Sequence, residues 1–149
     1  MRSDWIESTP IVLVKSTWPG LTKEKLAPLV ADPSSIIGNL NNGMTVTKLD
    51  DDADGNLQFH YAVATPMIVS DRSMFLTYYI DKDEATGEAT ITSGSLGTEH
   101  FVESQAALYG SNVVGNMIVS YLKMEPIEGG FSMTQVSAFD VKGWIPSWI

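Results

Sequence analysis

Three short clusters of turn-forming residues divide most of this chain into paired strand-like stretches, and few folds accommodate that pattern. Asp52-Ala53-Asp54-Gly55 separates residues 44–50 from 56–64, and Glu84-Ala85-Thr86-Gly87 separates 74–81 from 88–95. Glu128-Gly129-Gly130 separates 116–125 from 131–139. Asp and Gly reach turn conformations at low cost, so such clusters between apolar, β-branched runs specify hairpins. The run Ile11-Val12-Leu13-Val14, ended by Trp18-Pro19-Gly20, adds a seventh strand. Helical signals are confined to the stretch between this run and Gly43. Thr22 can cap a short helix with Leu26, Leu29 and Val30 on one face, stopped near Asp32-Pro33, although Pro28 falls inside it. Residues 34–40 predict a second short helical turn, ended by Asn41-Asn42-Gly43. The order β-α-α-β₆ predicts an α+β domain with one curved, seven-stranded antiparallel sheet and two short helices after its first strand. At 149 residues, with no repeat, linker or low-complexity tract, the chain supports a single core.

Composition then removes whole classes of function. Nine Lys+Arg against eighteen Asp+Glu give a net charge of −9, which repels a phosphate backbone, so no nucleic-acid partner is expected. The absence of cysteine excludes disulfides, thiol catalysis and cysteine-based zinc sites. The longest aliphatic run, residues 11–14, is far below the ~20 residues that cross a bilayer, and no signal-peptide core is present. A soluble domain is expected, cytoplasmic or peripheral to an organelle membrane. Only 18% of residues are charged, below the roughly 25% of ordinary domains, and the second half is rather apolar.

Strand parity shows where the apolar groups go, because alternate side chains share a face. Met74, Leu76, Tyr78 and Ile80 form one set, and the other ends in Asp81. In residues 116–125 the wet positions Lys123 and Glu125 leave Ile118, Ser120, Leu122 and Met124 inside. In the last strand Phe131, Met133, Gln135, Ser137 and Phe139 are the bulkier set. Ile91 and Ser93 belong to the same interior. Large apolar groups thus share a face with uncharged polar ones, Tyr78, Ser93, Ser120 and Gln135. Each polar group buried without a partner costs about 1–3 kcal/mol. Hydrogen bonds to the backbone satisfy such groups in an ordinary core; a ligand cavity or buried water does so equally.

Motifs with catalytic or metal chemistry are incomplete. Asp50-x-Asp52-x-Asp54-Gly55 matches the first half of a calcium loop, but its twelfth position is Tyr61 and strands flank it. A solvated hairpin turn is expected. His60 and His100 are the only histidines, too few for zinc, so no metal or other cofactor is expected. Gly94-Ser95-Leu96-Gly97 lacks the spacing of a nucleophile elbow, and no Ser-His-Asp set or phosphate loop remains. No enzyme is expected.

The segment Asp140-Val141-Lys142-Gly143-Trp144-Ile145-Pro146-Ser147-Trp148-Ile149 resembles the stretch that ends the last strand and opens the final helix of START (StAR-related lipid-transfer) domains. Its Ile145-Pro146-Ser147-Trp148-Ile149 end looks most like phosphatidylcholine-transferring members. Pro66-Met67-Ile68-Val69-Ser70-Asp71-Arg72-Ser73-Met74-Phe75 is similar to a family segment between two strands, with Ser73 where Asp is usual. Met124-Glu125-Pro126 before a loop is a third, weaker match.

The resemblance implies a helix-grip fold, in which the curved sheet wraps a long C-terminal helix and encloses a tunnel for one lipid. That helix is only begun at residue 146, so residues 1–149 are expected to form a single START-like domain incomplete at its C-terminus, or one closed by a protein partner. The connection 96–115, with Leu108 and Tyr109, falls where the family has a gating loop; Gly97, Gly110 and Gly115 offer hinges. The buried acid–Arg pair of cholesterol-binding members aligns near His60 and Tyr78, so no ion pair and no phosphate-binding arginine is implied there. The expected lipid-lining residues are His60, Met74, Leu76, Tyr78, Ile91, Ser93, Leu108, Tyr109, Leu122, Met124, Met133, Gln135, Phe139 and Trp148. His60 or Tyr78 would anchor a lipid hydroxyl. Trp144 and Trp148 divide between core packing and an interfacial anchor. The expected function is non-catalytic binding of one phospholipid or sterol-like lipid, with transfer across a transient membrane contact. The alternatives are a START-like docking subunit without lipid transfer, and a polyketide-cyclase-like enzyme of the same superfamily.

Overall fold

The computed structural model describes residues 11–34, 43–65, 69–95, 103–140 and 142. Strand β1 spans Ile11–Pro19 and helix α1 spans Lys23–Ala31. Strands β2 (Met44–Lys48), β3 (Leu57–Val63), β4 (Arg72–Lys82) and β5 (Ala89–Gly94) follow. The connection after β5 holds the short helix α2 (Ala106–Tyr109) and the two-residue strand β6 (Val113–Val114). Strands β7 (Asn116–Ile127) and β8 (Gly130–Asp140) form the last hairpin.

The seven expected strands form one path, β1-β8-β7-β5-β4-β3-β2, antiparallel throughout. The eighth strand, β6, lies off it, parallel to β4. That element was not expected, since two residues carry no periodicity. Strand β1 continues through Trp18 and Pro19, where a break was expected. Because β1 is the outermost strand, a proline without an N–H is tolerated there.

Helix α1 follows the expected capping. Thr22 Oγ1 accepts from the Lys25 amide at 3.4 Å, and Leu26 and Val30, one turn apart, are buried. Pro28 stands inside the helix, which ends three residues later at Ala31. The second helical turn expected at 34–40 lies outside the described residues beyond Ser34. Gly87 brings the β4–β5 turn against α1. Its φ is +79°, and a Cβ there would come within 2.6 Å of the Lys23 Cβ.

The register assigns the faces. Tyr78 stands opposite Leu57 and Ser93, Ser93 opposite Ser120, and Ser120 opposite Ser137. Phe59, Tyr61, Leu76, Tyr78, Ala89, Ile91, Met124 and Phe131 therefore share one face, and they form the core with Leu26 and Val30 of α1. The inner set expected for β7 is corrected at one position. A bulge between Met117 and Val119 sets Met117 opposite Phe139, so Met117 and not Ile118 packs against the core.

The Asp52 turn is held by its own side chain. Asp52 Oδ1 accepts from the Asp54 and Asn56 amides at 2.9 and 2.8 Å, and Oδ2 accepts from Asn56 Nδ2 at 2.9 Å. These bonds, the Asn56 side chain first, hold the Asp52 carboxyl below its ordinary range.

Candidate functional site

The face that α1 covers carries the chemistry. Between Met74 and Ile80 on β4, and across β3, β5, β7 and β8 at the same level, every register position is uncharged. Arg72 and Lys82 bound this wall at the two ends of β4. Arg72 is buried and clipped to backbone, donating Nη1 to the Ser70 carbonyl and Nη2 to the Lys142 carbonyl, the latter at 3.0 Å. It ties the segment after β8 to the start of β4.

Inside the wall sits a short line of hydroxyls. The Tyr61 and Tyr78 hydroxyls share a hydrogen bond of 2.5 Å, and Tyr78 also bonds Ser93. All three residues are buried. Phe59 packs between the tyrosines, with ring centroids 5.3 Å from Tyr78, edge-on, and 6.4 Å from Tyr61. Burial pushes both phenols above the ordinary tyrosine range, and for Tyr61 the neighbouring Tyr78 adds to it. Both rings are neutral hydrogen-bonding groups in an apolar setting. Replacing Tyr78 by Phe is expected to cost about 1–3 kcal/mol, because the Tyr61 hydroxyl loses its partner, and Tyr61→Phe should cost less, because Tyr78 keeps Ser93. The double replacement should cost less than the sum. Urea denaturation of the three variants checks this; strict additivity would show that the hydroxyls do not interact.

Of the expected lining residues, the register brings Met74, Leu76, Tyr78, Ile91, Ser93, Leu122, Met124, Met133, Gln135 and Phe139 to this one face. Leu122 and Met133 are half-buried against the core, and Phe139 at the end of β8 is 43% exposed. Trp148 and the Ile145–Ile149 likeness lie outside the described residues.

His60 is on the opposite face from Tyr78, so these two form no common anchor. It pairs with Phe75 in register, stacks on that ring at 4.8 Å, and meets Ser73 Oγ through Nε2 at 3.0 Å. Ser73 is fully buried, and its Oγ also accepts from Asn112 Nδ2 at 3.1 Å, so this Ser–His contact is not a nucleophile awaiting substrate. Tyr109 meets Phe75 edge-on at 6.1 Å and belongs with His60, while Leu108 is exposed. The sequence held the signal for this separation. Leu57, Phe59, Tyr61 and Val63 alternate, which places His60 on the other face and adds Tyr61, absent from the expected set, to the wall.

Two clefts lined by described residues lie elsewhere. One of about 220 Å³ runs between α1 and the β4–β5 turn over Leu26, Val30 and Ala89, and one of about 120 Å³ borders the same turn at Asp81 and Thr90. Neither reaches the tyrosines. Among the described residues no cluster of His, Asp and Glu could hold a metal.

No protein-family model matches the sequence, and no curated protein matches it. Solved structures do. The chain superposes on human STARD10 over 93% of its own length with a TM-score of 0.72 and 11% identity. For human StAR-related lipid transfer protein 5 the coverage is 92%, the TM-score 0.70 and the identity 12%. For a StAR-related lipid transfer protein from Xanthomonas axonopodis the values are 93%, 0.64 and 16%. The chain spans 54% and 64% of the two human structures and 73% of the bacterial one. With TM-scores of 0.64 to 0.72 over more than nine-tenths of its length, this chain has the START-domain fold.

Proposed function

We propose that the chain binds a single lipid against the α1-bearing face of its sheet and carries it between membranes without catalysis. The observation that supports this most directly is the uncharged wall itself. Met74, Leu122, Met133 and Phe139 offer apolar contact, while Tyr61, Tyr78, Ser93 and Gln135 place neutral hydrogen-bonding groups among them. Each lipid methylene withdrawn from water there contributes about 0.8 kcal/mol. With neutral groups in the wall and Arg72 engaged by carbonyls, the polar part of the lipid inside the wall is a hydroxyl or carbonyl. Two of the structural neighbours are StAR-related lipid transfer proteins, which supports the same reading. The connection 96–115 serves as the gate, and a membrane surface is the transient partner. Among the described residues no helix is long and apolar enough to cross a membrane.

The test is native mass spectrometry of the purified chain, before and after incubation with mixed-lipid vesicles. One lipid per chain is the expected result, with the selectivity shifting in Tyr61→Phe/Tyr78→Phe. A chain that purifies empty and extracts nothing overturns the reading. A docking role would then stand, which the exposed strand β1 favours: Ile11 and Leu13 are 71% and 59% exposed on the sheet's edge.

A further inference from the structure

At the start of β4, beyond the stretch that pairs with β5, the connection that follows β5 is fastened to β4 at several points. The Val113 amide donates to the Asp71 carbonyl at 2.9 Å and the Gly115 amide to the Ser73 carbonyl at 2.8 Å, forming the parallel β6–β4 pairing. Tyr109 rests edge-on against Phe75. The remaining fastening is through side chains. Asn112 Nδ2 donates to Ser73 Oγ, and the same hydroxyl contacts His60 Nε2 on β3.

We propose that His60 is an acid-operated latch, whose protonation releases residues 103–115 from β4. The chemistry of one hydroxyl carries the inference. Ser73 has a single proton and accepts from Asn112, so neutral His60 completes the line by taking that proton's hydrogen bond at Nε2. Protonated His60 has no acceptor nitrogen. Its Nε2–H and the Asn112 N–H then converge on one buried oxygen, and the Ser73 proton loses its partner.

The surroundings offer the imidazolium nothing in exchange. Strand β2 presents Thr47 in register with His60, β4 presents Ser73 and Phe75, and the connection presents Asn112 and, across Phe75, Tyr109. Tyr109 is the one titratable group in this set, and among the described residues no carboxylate makes a contact there. Burial accordingly holds the His60 imidazole below its ordinary basicity.

The direction of the pH effect follows. His60 is predominantly neutral in both docked and released states well above its ordinary pKa of about 6.5, so docking is nearly insensitive to pH there. Below that, the released state takes up the proton first, and the equilibrium shifts toward release by up to about tenfold per pH unit until the docked form also titrates. The latch does not depend on lipid binding, since it can be read on the chain alone.

Hydrogen exchange provides that reading at the Val113 and Gly115 amides, as protection factors between pH 8 and 5. Protection should be level from pH 8 to 7 and fall several-fold by pH 5.5, while His60→Gln, which keeps a donor and an acceptor but cannot titrate, stays level. A wild-type profile that stays level, or a parallel fall in His60→Gln, overturns the proposal. Should His60→Gln not fold, the His60 ring resonance of the wild-type chain decides. Titration depressed below 6.5 and matched by the loss of protection supports the latch. An undisplaced titration overturns it.

Discussion

Phe59→Ala is expected to destabilise the protein by about 3–5 kcal/mol, a large share of the 5–15 kcal/mol that holds a domain of this size folded. The ring is 1% exposed and lies between Tyr61 and Tyr78. Its removal withdraws a large apolar group and leaves a cavity that rigid strands on either side cannot close. Two effects should appear together in chemical denaturation and lipid-loading assays. The midpoint falls steeply, and the tyrosine pair loses the packing that aligns its hydroxyls, so lipid selectivity loosens in whatever fraction remains folded. A loss below 1 kcal/mol would show that this ring is not the centre of the core.

Gly130→Ala should release β1. A Cβ at this position would lie 2.2 Å from the Trp18 carbonyl oxygen and 3.0 Å from the Pro19 Cα, both backbone atoms. Neither can swing aside as a side chain would. Since β8 is the only neighbour of β1 among the described strands, relief of the clash must push β1 away from the sheet. The expected cost is about 1–3 kcal/mol or more. Hydrogen-exchange protection should be lost along Ile11–Pro19 before it is lost in β3, β4 or β5. Unchanged β1 protection in the variant would contradict the close approach of the two backbones.

Much of this fold is legible in the amino-acid sequence. The three turn clusters, the Thr22 cap and the parity of residues 74–80 all rest on interactions between residues close in sequence, and each reappears in the structure. Parity also grouped Tyr78, Ser93, Leu122 and Gln135, which the register sets on one face. It failed at Met117 because a bulge depends on the partner strand as well as on its own sequence. The START resemblance groups His60 with Tyr78, although the alternation of Leu57, Phe59, Tyr61 and Val63 separates them. The two-residue strand β6 left no periodic trace at all.

By itself, then, the sequence determined the α+β class, the seven antiparallel strands, the first helix and the uncharged apolar character of one sheet face. Local torsional preference and side-chain alternation suffice for these, because every term acts within a few residues. Only the tertiary structure decided that the tyrosines satisfy each other, that Arg72 clips the segment after β8, and that His60 shares Ser73 with the connection on the opposite face. Those contacts join residues 13 to 70 positions apart. They are fixed by strand register and by the need of each buried polar group for a partner, and neither is written in any single stretch of chain.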